Sequence, residues 1–183
     1  MRQEPPPDAD HGPDADPESV ARKILLDRLT GEPRSRAELE KSLAKKHVPE
    51  DVARRLLDRF TEVGLVDDQA FARSWVESRQ RGKGLARRAL AMELRRKGIE
   101  PEVAAVALDD VAPEDEARRA RELVRHKLRS VRGVPEPART RRLLGMLARK
   151  GYPAGVALDA IREELGADEE WQQSIGEPSQ TSL

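Results

Sequence analysis

Residues 43–53 read LAKKHVPEDVA, residues 94–104 LRRKGIEPEVA and residues 147–157 LARKGYPAGVA. The three align without a gap on Leu43, Leu94 and Leu147, at offsets of 51 and 53 residues. A lysine follows each leucine by three places (Lys46, Lys97, Lys150), then His47, Gly98 or Gly151, then an apolar Val48, Ile99 or Tyr152. Val52, Val103 and Val156, each followed by alanine, close the motif. Upstream, Leu39, Leu90 and Leu143 each precede the anchor leucine by four, which puts the pair on one helical face. At the same offsets Val20 and Ile24 match Phe71 and Trp75 and then Val124 and Leu128, and Arg28 matches Arg79 and Arg132. Chance does not supply the whole set, so the chain is a tandem array of three-helix units of about 50 residues each.

Apolar residues recur at helical spacing with almost no strand-like alternation, which predicts an all-α fold. Nine helices are expected, over 17–30, 35–46, 49–63, 68–81, 85–97, 101–111, 114–131, 137–149 and 153–165. Ser35-Arg36-Ala37-Glu38 is a capping box, Asp67 or Asp68 suits the N-cap of the fourth helix, and Pro49, Pro101 and Pro153 suit first turns. The repeats span 17–66, 67–112 and 113–166, between acidic tails at 1–16 and 167–183 too poor in apolar residues to order themselves. One unit holds few large apolar side chains, so units must also bury faces against one another, and an elongated, curved array is expected.

Charge is segregated along the chain. The formal net charge is zero, yet residues 19–162 hold 33 of the 34 lysines and arginines and only 22 of the 34 acids, a net of +11. A basic folded region between acidic ends suits a polyanionic or acidic partner, because each phosphate neutralised releases a condensed counterion. The bases concentrate in two blocks. Residues 79–97 carry Arg79, Arg81, Lys83, Arg87, Arg88, Arg95, Arg96 and Lys97 against Glu93 alone. Residues 118–150 carry twelve bases against Glu122 and Glu136, including Arg121, Arg125, Arg129, Arg132, Arg141, Arg142, Arg149 and Lys150. From Arg118 to Arg132 the spacing of three and four makes one stripe, in which like charges repel by a few tenths of a kcal/mol per pair. Such a stripe is a net cost unless an anion meets it; a merely solvated face is the alternative.

Signs of catalysis or metal binding are weak. Asp67-Asp68 stands where a carboxylate caps a helix, Gly82-Lys83-Gly84 lacks the remaining elements of a phosphate-binding loop, and His126 has no triad partner at suitable spacing. The chain has no cysteine, and His11, His47 and His126 are scattered. No catalytic residue, cofactor or metal is therefore expected. The absence of an apolar leader or spanning segment predicts a cytoplasmic protein with no membrane partner.

Gly64-Leu65-Val66-Asp67-Asp68, Phe71-Ala72, Trp75, Arg79 and Gly84, followed by Leu94 to Ile99 with Lys97-Gly98-Ile99, resemble the signature of the RecX family, bacterial regulators of the RecA recombinase. The resemblance covers about residues 20–165 and includes the three tandem repeats. It implies a non-enzymatic protein that binds RecA and the groove of RecA filaments on single-stranded DNA, with duplex DNA a further partner; a rod lying in such a groove is most simply a monomer. It also implies inhibition of strand exchange, ATP hydrolysis and the SOS response. On this reading the basic residues of the second and third repeats make the contacts. Two other readings stay open: a helix-turn-helix regulator of duplex DNA, and a helical scaffold for an acidic protein. Against the first, the would-be recognition helix at 101–111 carries Glu102, Asp109 and Asp110 and no base.

Overall fold

A computed structural model describes residues 16–176, with side chains through Asp168. Its helices are α1 (Pro17–Gly31), α2 (Arg36–Ala44), α3 (Glu50–Glu62), α4 (Asp68–Lys83), α5 (Arg87–Arg96), α6 (Pro101–Asp109), α7 (Pro113–Leu128), α8 (Glu136–Arg149) and α9 (Ala154–Gly176). Among the described residues there is no strand, and no helix is long and apolar enough to cross a membrane. Two ends depart from expectation by more than two residues. α7 stops at Leu128 rather than 131, where the N–H groups of Ser130 and Val131 turn back to the carbonyls of Lys127 and Leu128. α9 runs to Gly176, past the expected end at 165 and into the segment expected to be a disordered tail. Asp16 belongs to α1 as its N-cap, while the rest of the expected N-terminal tail and residues 177–183 lie outside the described residues.

The three sequence repeats make two compact units, and the middle repeat is divided between them. The first unit joins the chain up to Ala72 with Arg95–Val103. Its core follows from helical spacing: Ala53, Leu56, Leu57 and Phe60 line one face of α3 and bury against Leu39 and Leu43 of α2 and Ala21 and Leu25 of α1. On α1 the inward register is one residue later than Val20 and Ile24, which are only partly buried.

At the start of α2 the capping box forms: the Glu38 N–H donates to Ser35 Oγ at 3.2 Å and the Ser35 N–H to the Glu38 carboxylate at 3.4 Å. Ser35 is fully buried and its hydroxyl also donates to the Lys97 carbonyl at 2.6 Å, while Lys97 Nζ meets Glu38 at 2.7 Å. The capping box thus also holds the turn between α5 and α6. The two aspartates of the Asp67-Asp68 pair separate in role. Asp67 caps α4 by accepting the N–H groups of Gln69 and Ala70, both at 2.9 Å, whereas Asp68 accepts the Arg36 N–H of α2 at 2.8 Å. Burial raises the Asp68 pKa, opposed by that N–H.

The second unit joins Arg73–Leu94 with the chain from Ala104 onward. Val124 and Leu128 of α7, Leu143 and Leu147 of α8, Tyr152, and Ala157 and Ile161 of α9 form its core. Its turn after α8 repeats the first unit's arrangement. The Lys150 carbonyl accepts the Ala86 N–H at 2.9 Å, and the Tyr152 hydroxyl donates to the Gly84 carbonyl at 3.1 Å. Ala86 stands at the repeat position of Ser35, so in both units the lysine of the quoted motif presents its carbonyl to the start of the second helix of the preceding repeat.

The residue after that lysine adopts the left-handed conformation in all three repeats: φ is +58° at His47, +74° at Gly98 and +87° at Gly151. Glycine is needed where a preceding repeat presses in. A Cβ on Gly98 would lie 2.3 Å from Ala37 Cβ, and one on Gly151 2.7 Å from both the Cβ and the backbone N of Ala89. His47, in the first repeat, is exposed and so is not crowded in this way. Gly98→Ala and Gly151→Ala should each lower unfolding free energy by about 2–5 kcal/mol, combining left-handed strain with overpacking, whereas His47→Gly should raise it by up to about 1 kcal/mol. Urea unfolding checks this; equal effects at the three positions would refute the docking role.

Tyr152 is the only tyrosine of the chain, and burial pushes its pKa up from 10.0 to about 12. Between those values the unfolded chain ionises the phenol while the folded chain keeps it protonated, so stability falls as pH rises through that window. Tyr152→Phe should flatten this alkaline loss, and tyrosinate absorbance in the native protein should develop near the raised value.

Candidate functional site

The arginine stripe of α7 finds its anion within the chain. Arg121 meets Glu163 at 3.1 Å, Arg125 makes a two-pronged pair with Glu164 at 2.7 and 2.9 Å, and Arg132 meets Asp168 at 3.1 Å. Arg118 pairs with Asp115 on its own helix at 2.7 Å. The Glu164 carboxylate is buried, and its hydrogen bonds raise the Arg125 pKa above the ordinary value. These acids are the first of those the sequence places near or within the C-terminal tail, and their pairing carries α9 onward along α7. The cleft beside them is lined by Arg125, Arg129 and Arg132 but also by Glu164 and Asp168, so it offers an incoming polyanion little net charge.

Several other bases hold the fold together. Arg79 stacks over the Trp75 ring, 4.0 Å from its centroid, and donates to Glu93 at 3.1 Å, while Trp75 Nε1 donates to the same carboxylate at 2.9 Å. Trp75 is therefore half-buried under an arginine rather than a core residue as its repeat position predicts; Phe71, Ala72 and Val76 are the buried residues of α4. Arg87 donates to the Leu108 carbonyl and to Asp109, satisfying the end of α6. Lys97 joins Glu38, and Lys150 Nζ donates to the Lys83 carbonyl. Arg81 pairs with Glu77 one turn back.

Lys83, Arg88, Arg95, Arg96, Arg129, Arg141, Arg142 and Arg149 remain exposed, with no acidic partner among the described residues. In the second unit Arg141, Arg142 and Arg149 gather on α8. Leu143 and Leu147 of that helix are fully buried, which turns Arg141, Gly145 and Arg149, spaced by four, outward as one row. A groove lies on each side of this ridge. One, of about 570 Å³, is bordered by Lys127, Ser130, Arg141, Arg142 and Arg149. The other, of about 730 Å³, runs between α8, α5 and the start of α9, with Arg88, Arg141 and Arg149 at its edges. Neither contains an acid. The ridge is the candidate site: several cations that share a face, keep water access and are not neutralised locally. Spacing in the sequence identifies its arginines, but Lys127 and the apolar side of the second groove appear only in three dimensions.

Three RecX family models match the chain: the first three-helix domain at residues 21–60, the second at 67–108 and the third at 114–161. The chain is 50% identical over 165 residues to the regulatory protein RecX of Streptomyces coelicolor, covering 90% of this chain and 88% of that one. It is 49% identical over 164 residues to the regulatory protein RecX of Thermobifida fusca, covering 88% and 89% respectively. A crystal structure of regulatory protein RecX superposes with a TM-score of 0.72 at 28% identity, covering 82% of this chain and 73% of that one. The crystal structure of RecX from Lactobacillus salivarius has the same fold, with a TM-score of 0.73 at 20% identity over 82% of this chain and 97% of that one. Three matched domains in order, half-identical relatives over nearly the whole chain and a shared all-α architecture place this chain in the RecX family of regulatory proteins.

Proposed function

We propose that this chain binds RecA and RecA filaments on single-stranded DNA and inhibits the recombinase and its ATP hydrolysis. It would thereby limit homologous recombination, DNA repair and the SOS response. On this reading it acts in the cytoplasm as a monomer, without a cofactor and without catalysing a reaction. The observation that carries the reading is the basic ridge of α8, with Arg141, Arg142 and Arg149 exposed between two grooves whose linings contain no acid. A regulator of a nucleoprotein filament meets both phosphates and acidic protein, and both are recognised by unpaired guanidinium groups. The helix-turn-helix reading is disfavoured because α6 carries Glu102 and Asp109 and no base.

The site narrows from the two basic blocks to α8. Reversal of Arg87 would release the end of α6 and reversal of Lys97 would break its pair with Glu38, so neither isolates a binding role. Arg141→Glu, Arg142→Glu and Arg149→Glu together should raise the concentration needed to inhibit RecA ATPase by at least about tenfold while helicity is unchanged. Replacing the same three by glutamine should reduce the salt slope of single-stranded DNA binding by about 2, at about 0.7 for each phosphate no longer neutralised. Arg54 and Arg55, exposed on α3 and paired with Glu50 and Asp51, provide the control whose reversal leaves inhibition intact. Full inhibition by the triple reversal would remove α8 from the contact surface.

A further inference from the structure

The two grooves beside α8 differ in chemistry. The groove toward α7 has Lys127, Ser130, Arg141 and Arg142 beside Val131 and Met146, a more polar and more cationic lining that offers donors to phosphate oxygens. The groove toward α5 has an apolar floor made by Ala89, Met92, Leu144, Ala148, Ala154 and Ala157. Met92 is 42% exposed there, while the Tyr152 ring is buried with its hydroxyl committed to the Gly84 carbonyl. Single-stranded nucleic acid gains affinity from stacking on exposed aromatic faces, and the one aromatic that lines this groove, Tyr152, is buried. Small residues on both walls leave room for another backbone, and cations stand on both edges: Arg88 from α5, Arg141 and Arg149 from α8.

Resting on the regulatory reading above, we infer that the groove between α5, α8 and the start of α9 is a protein-docking site for an acidic amphipathic helix of the protein partner. Apolar side chains of that helix lie on the Met92 and Ala148 floor. Its carboxylates meet Arg141 and Arg149, which stand eight residues apart on α8 and so about 12 Å apart along its axis. The matching acids are therefore two turns apart on the partner helix, with a third on the opposite flank for Arg88. This is helix-in-groove recognition with an electrostatic rim. α8 then divides its labour, with protein on the α5 side and phosphate on the α7 side.

Ala148 is exposed and lines only the groove toward α5, which makes it the site of the test. Affinity is measured separately for RecA without DNA and for an oligothymidylate without RecA. Ala148→Glu should weaken RecA binding by about tenfold or more and leave oligothymidylate binding within about threefold, and Ala148→Lys should keep RecA binding within about threefold. Met92→Glu, on the facing helix, should reproduce the glutamate result with helicity retained. Parallel loss of RecA and oligothymidylate binding would identify the groove as a nucleic-acid site and overturn the inference. So would an Ala148→Glu protein that binds RecA as the parent does, or self-association that the substitution abolishes. A parent protein that binds no RecA at all would overturn the regulatory reading together with this one.

Discussion

The fold depends on one close approach, the turn that ends the second helix of a repeat pressed against the start of the second helix of the repeat before it. The Lys97 carbonyl takes the buried Ser35 hydroxyl, and the Lys150 carbonyl takes the Ala86 N–H. Each bond contributes about 1 kcal/mol net, but leaving a buried hydroxyl such as Ser35 unpaired costs about 1–3 kcal/mol, so the approach is more costly to break than its bond energy suggests. It is possible only because Gly98 and Gly151 lack a Cβ and tolerate positive φ. In a chain with as many charged as apolar residues, this tight fit supplements small cores.

The same economy governs charge. Arg118, Arg121 and Arg125 of α7, with Arg129 and Arg132 in the turn after it, would repel one another, and α9 relieves them with Glu163, Glu164 and Asp168. Pairs this exposed each contribute little, but the buried Glu164 with its two bonds from Arg125 fixes the register of α9 on α7. Once these and the pairs at Glu93, Asp109 and Glu38 are made, the net positive charge of the folded region falls on residues such as Arg88, Arg141, Arg142 and Arg149. The ridge is the part of that unneutralised charge that gathers on one helix.

Much of this was legible in the sequence where the signal is local. The leucine pairs at Leu39–Leu43, Leu90–Leu94 and Leu143–Leu147 are all fully buried, and Ser35 and Asp67 cap as their positions predict. What spacing did not reveal depends on long-range partners. Glu163, Glu164 and Asp168 read as acids near a solvated tail because nothing nearby in sequence marks Arg121, Arg125 and Arg132 as their partners. Lys97 and Lys150 read as surface cations, although their repeated position marks a docking lysine. The division of the middle repeat between two compact units likewise follows from where its second turn docks, which helical periodicity does not encode.

Amide hydrogen exchange on the full chain, free and mixed with RecA filaments on single-stranded DNA, tests most directly whether the ridge left unneutralised is the working surface. Added protection should concentrate in α8 and the first turns of α9, with α3 unchanged. Protection confined to α3 or α6, with α8 exchanging as in the free protein, would contradict it.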